Sequence, residues 1–68
     1  MEAFIIEGEY IQLNQLLKAL FWVGTGGEAM LRISQGEVQV NGVVTTVKRK
    51  KLYPGDTVSF NGQTILVQ

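Results

Sequence analysis

Lys48-Arg49-Lys50-Lys51 is the densest run of charge in the chain and holds four of its six cations. Such a run can bind phosphate groups, because each neutralised phosphate releases condensed counterions. Adjacent like charges repel, so a folded chain tolerates the run only on a solvated loop or a strand edge. Guarding an edge against aggregation is a second use for the same residues. The other two cations are Lys18 and Arg32. Glu28 stands four residues before Arg32, the favourable order for a helical ion pair. That pair is worth only ~0.3–0.5 kcal/mol, so a phosphate could compete for the guanidinium. Asn14 holds the corresponding place before Lys18, which is the freer of the two.

Other chemistries are excluded by what is missing. The 68 residues contain no His and no Cys. Disulfides, the common zinc sites, imidazole bases and thiolate nucleophiles are therefore ruled out. The six carboxylates show no pairing pattern, so no enzyme, metal, cofactor or small-molecule substrate is expected. The length predicts one domain over 1–68, with residues 1–10 as an acidic strand or arm. A chain this short buries only ~60% of its unfolded surface, so its core is thin. Formal net charge is zero, which at first argues against a nucleic-acid partner. Three of the six acids, Glu2, Glu7 and Glu9, nevertheless lie in the first nine residues, far in sequence from the basic run. Local potential decides what binds, so the phosphate reading weakens if the arm shares a face with the run.

The composition, 46% hydrophobic, is that of a folded chain. Its longest apolar stretches, such as that containing Leu20-Phe21-Trp22-Val23, are far too short to span a membrane. Glu2 and the lack of a basic start do not read as a secretory signal. A reducing, cytoplasmic location fits the absence of Cys.

The elements that must hold these groups follow from periodicity. Met1 to Ile11 reads as a strand or arm broken near Gly8. Leu13, Leu16, Leu17 and Leu20 form a helical stripe, with Asn14 as a candidate cap and Gly24 as its stop. Thr25-Gly26-Gly27-Glu28 has the form of a capping box and opens a second helix from about Gly26 to Gln35, with Ala29 and Ile33 inward and Gly36 ending it. The Gly-Gly pair reads as a tight helix–helix turn, since it lacks the spacing of a phosphate loop. Val38 and Val40, the Asn41-Gly42 turn and a return strand Val43 to Val47 make a hairpin. Tyr53-Pro54-Gly55-Asp56 suits a type II turn. Val58 and Phe60, Asn61-Gly62, then Ile65 and Val67 make a second hairpin. The fold class is α+β: two short packed helices beside a small, mostly antiparallel sheet. Phe21 and Trp22 are expected to plug the core rather than to stack on bases. Met30 and Leu31 spread the apolar face of the second helix, so at least one should be exposed or cover a partner.

In order, Ile11-x-Leu13-x-x-Leu16-Leu17-Lys18, Gly26-Gly27-Glu28-Ala29, Ile33-x-x-Gly36-x-Val38-x-Val40-Asn41-Gly42 and Lys51-Leu52-x-x-Gly55-Asp56-x-Val58 resemble a known pattern. It is that of the ribosomal protein S-four-like, or alpha-L, RNA-binding domain family, nearest its small stand-alone YaaA/YbcJ-like branch. The likeness covers about residues 10 to 68. It implies non-catalytic binding of structured RNA, ribosomal RNA among the candidates, in a bacterial cytoplasm. The surface it implies comprises Lys18, Arg32, Lys48, Arg49, Lys50 and Lys51. Met30 and Val47 stand where the family commonly has basic residues, which lowers the implied affinity, whereas Arg49 replaces a common Gly and keeps the run unbroken.

Two other readings come from different classes. An apolar patch of Phe21, Trp22, Met30 and Leu31 would make the chain a protein-interaction module. A β-grasp sulfur carrier, suggested by Gly55-Asp56-Thr57-Val58, would need a C-terminal Gly-Gly where this sequence has Leu66-Val67-Gln68, and is set aside.

Overall fold

The computed structural model describes residues 2–68. Two helices, α1 (Leu13–Ala19) and α2 (Gly26–Ser34), pack on one face of a five-stranded sheet. Its strands are β1 (Glu2–Phe4), β3 (Val38–Val40), β4 (Val43–Val44), β6 (Thr57–Phe60) and β7 (Gln63–Val67), in the order β1-β7-β6-β3-β4. All neighbours are antiparallel except β1 on β7, which is parallel. A separate antiparallel pair joins β2 (Ile11–Gln12) to β5 (Lys51–Leu52).

The core follows from the periodicities. Val38 and Val40, Val58 and Phe60, and Ile65 and Val67 alternate inward along their strands. They meet Leu13, Leu16 and Leu17 of α1 and Ala29 and Ile33 of α2, all buried. Trp22, half-buried, lays its ring against Phe60 with centroids 6.1 Å apart. Asn41-Gly42 and Asn61-Gly62 take the left-handed conformation at both residues, the turn that matches strand twist.

The end of α1 differs from the sequence expectation. The helix stops at Ala19 rather than near Gly24. Trp22 N–H donates to Leu17 O at 3.1 Å and Phe21 N–H to Lys18 O at 3.0 Å, the two bonds of a Schellman cap. That motif needs a left-handed residue, and here Phe21 supplies it at φ 58°. Phe21 is also 91% exposed, so it is no core plug: the cap turns its side chain outward. α2 begins at Gly26, where the capping box places it, so Gly26 and Gly27 form its first turn directly after the interhelical turn. The capping box is present in a shifted form. Thr25 Oγ1 accepts from Glu28 N–H at 3.0 Å, while Glu28 Oε1 accepts from Gly24 N–H at 2.8 Å, one residue earlier than the usual box.

A left-handed L-residue costs ~1–2 kcal/mol, and Phe21 has little packing to offset it. Phe21→Gly is therefore expected to raise stability by roughly 0.5–1 kcal/mol after the entropy lost by glycine, seen as a melting midpoint a few degrees higher. A lower midpoint would mean that the ring makes a stabilising contact.

Candidate functional site

The basic run lies in an irregular segment between β4 and β5. The return strand expected to reach Val47 is paired only over Val43–Val44, although Thr45 N–H still donates to Val38 O at 3.1 Å. After it the chain turns: Val47 N–H donates to Thr45 Oγ1 at 3.2 Å and Lys50 N–H to Val47 O at 3.2 Å. Lys48 and Arg49 form the tip of that turn, Lys50 returns, and Lys51 enters β5. All four side chains are exposed. Like charges separate there at little cost, because each ammonium or guanidinium keeps its water.

Main-chain bonds hold the segment to α1. Leu13 N–H donates to Lys50 O at 2.8 Å and Asn14 N–H to Lys48 O at 3.2 Å. The first free donors of the helix are thus capped by carbonyls of the basic segment. Asn14 does not cap the helix as expected: the N-cap position is Gln12, without a side-chain bond, and Asn14 Oδ1 is buried with no partner. The side chains of the run form no ion pair among the described residues, while its backbone satisfies the helix.

The base of this excursion is closed by a second set of bonds. Asn41 Nδ2 donates to Asp56 Oδ1 at 3.0 Å, and Asn41 Oδ1 accepts from Thr57 N–H at 2.9 Å. Asp56 Oδ2 accepts from Tyr53 N–H at 2.8 Å, completing the turn in which Gly55 takes φ 102°. Asn41 and Asp56, two residues that carry the family pattern, therefore tie the hairpin turn to the Tyr53–Asp56 turn.

The other predicted cations fall differently. Lys18 is exposed in the last turn of α1, roughly 7 Å along the axis from Leu13. Arg32 pairs with Glu28 at 3.6 Å, as its spacing predicts, and also with Glu37 at 3.3 Å. Glu37 follows the helix and no helical spacing points to it. Among the described residues, both ion pairs belong to Arg32, and no contact brings it onto the 48–51 segment. The acidic arm is divided. Glu2 lies on β1, at the opposite edge of the sheet from β4, about 19 Å away at ordinary strand spacing. Glu7 and Glu9 lie in the connection to β2, whose antiparallel register with β5 leads away from Lys48 to Lys50, and neither forms an ion pair among the described residues. Lys50 shares an open cleft with Val43 and Val44 on the free edge of the sheet, which gives that one lysine an edge-guarding position.

Two tyrosines join the site that the sequence did not single out. Tyr10 and Tyr53 lie at the outer end of the β2·β5 pair with ring centroids 6.0 Å apart, and Lys51 Nζ sits 4.9 Å from the centre of the Tyr10 ring. Only the pairing of two-residue strands brings them together, and strands that short have no periodicity to read.

A two-helix layer on a mostly antiparallel sheet is the architecture that the sequence resemblance implied; the lacing of the basic loop to the first helix is seen only in the structure. The S4 domain family pattern matches residues 4–68, and the chain belongs to that family. It is similar to YbcJ of Escherichia coli, provisionally named an RNA-binding protein, at 41% identity over 58 residues, or 85% of this chain and 83% of YbcJ. It is also similar to RlbA of Bacillus subtilis, named a probable ribosome maturation protein, at 39% identity over 57 residues, or 84% of this chain and 80% of RlbA. A solution structure of YbcJ from Escherichia coli, described as revealing an alpha-L motif involved in RNA binding, matches with a TM-score of 0.74 at 38% identity. That match covers 98% of this chain and 86% of the YbcJ chain.

Proposed function

We propose that the protein is a non-catalytic binder of structured RNA, acting as one domain over 1–68 in a bacterial cytoplasm. Ribosomal RNA is the first candidate, given the name of RlbA. The observation that carries this reading is the solvated turn of Lys48, Arg49, Lys50 and Lys51, free of carboxylate partners among the described residues, on the scaffold of an RNA-binding family. Lys18 extends the surface along α1. Arg32 contributes less, because Glu28 and Glu37 already neutralise it. Grip on the phosphates dominates, so shape counts for more than sequence.

Titration with a structured RNA at several salt concentrations tests the reading. With about four phosphates neutralised on non-duplex RNA, log affinity should fall with log salt at a slope of roughly −3. No binding at low salt, or a salt-independent constant, would reject it. A protein-interaction module remains the second reading, favoured by the exposure of Phe21 and Leu31. Trp22 and Met30 are half-buried, so the four do not form one fully exposed patch.

A further inference from the structure

Ile11 pairs with Leu52 and Gln12 with Lys51. Tyr10 and Tyr53 are therefore the next residues along the same two antiparallel strands, facing each other at the rim of the basic segment. Their rings are tilted by 49° and remain 39% and 47% exposed as residues. Lys51 Nζ lies over the Tyr10 ring, a contact that favours its charge at this rim while leaving the side chain exposed to solvent. Two half-exposed tyrosines, one with a ring face under Lys51, beside a run of cations match the two parts of a single nucleotide: a flat apolar base and an anionic phosphate.

We infer that Tyr10 and Tyr53 form a stacking platform for an unpaired nucleotide whose flanking phosphates lie on Lys48 to Lys51; this rests on the RNA-binding reading above. The acids nearby set the orientation. Glu7 shares the adjoining cleft with Tyr10 and Glu9 precedes it in the chain, so phosphate is repelled on that side and drawn toward the lysines. A neutral base is indifferent to this gradient and takes the tyrosine side. A continuous duplex keeps its base faces stacked within itself, so the platform selects loops, bulges or ends.

The test compares the full chain with Tyr10→Leu/Tyr53→Leu and Tyr10→Phe/Tyr53→Phe variants. Each is titrated with an RNA hairpin carrying an unpaired loop and with a blunt duplex of equal phosphate count. The leucine pair should bind the hairpin about tenfold more weakly, with an unchanged salt slope and unchanged duplex binding. The phenylalanine pair should match the parent, since it keeps both rings. Equal hairpin binding by the leucine pair, or an equal loss on the duplex, overturns the platform. If the parent binds both RNAs alike and charge removal at 48–51 weakens both, RNA binding stands and the platform falls. If the parent binds neither, both fall. Should the leucine pair fail to melt cooperatively, 2-aminopurine placed in the hairpin loop decides on the parent protein. Stacking changes its fluorescence on binding, and no change overturns the platform.

Discussion

Replacing Lys48, Arg49, Lys50 and Lys51 together with Ala is expected to weaken binding to structured RNA by at least about a hundredfold at low salt, and to flatten the salt slope from roughly −3 toward −1. The parent itself should lose about fiftyfold between roughly 50 and 200 mM salt, which is what a slope near −3 implies. The fold should survive, because this segment supports α1 through the carbonyls of Lys48 and Lys50, which alanine retains. The packing lost is the Lys51 contact with Tyr10, worth ~0.5–1 kcal/mol at an exposed site. The substitution also takes the formal net charge from zero to minus four, so a control is needed. Adding Glu2→Gln, Glu7→Gln and Glu9→Gln returns it to minus one. If that restores affinity, the overall charge governs binding and the local clamp is wrong.

Leu52→Ala should have the largest effect on stability. Leu52 is wholly buried, pairs with Ile11 and anchors the far end of the basic segment. Truncating a buried leucine costs ~2–5 kcal/mol, against a total of ~3–5 kcal/mol for a domain this small. The melting midpoint should fall by ten degrees or more, or the cooperative transition should vanish. RNA binding should disappear with the fold and return where the variant is still folded. Val47→Ala, at an exposed position of the same segment, should stay within about 0.5 kcal/mol of the parent. An equal loss from both would mean that the segment packs more tightly than its exposure indicates.

The features legible in the sequence are those decided by near neighbours. Asn41-Gly42 and Asn61-Gly62 prescribe their turns because few residue pairs tolerate two positive φ values. Thr25 and Glu28 announce the start of α2, and Gly36 its end, through backbone groups at most four residues away. The leucine stripe located α1 but not its boundaries. Its N-terminus is capped by carbonyls more than thirty residues away in sequence, and its C-terminus takes a left-handed phenylalanine that propensity disfavours. The parallel pairing of β1 with β7 and the short β2·β5 pair were equally hidden, since tertiary placement fixes both. For the site, the cations themselves were legible from their run. Their separation from Glu2, the second carboxylate on Arg32 and the two tyrosines at the rim all depend on non-local pairing.

The bond between Asn41 and Asp56 separates two kinds of inheritance in this chain. It closes the base of the excursion, and Leu52 anchors its return, so the exposed side chains from Thr46 to Arg49 contribute little to stability, the support given to α1 being main-chain. Substitutions at the tip can strengthen, weaken or redirect the grip on a partner without threatening the scaffold. A descendant could therefore retain Asn41 and Asp56, and with them its recognisable ancestry, while its cargo drifted.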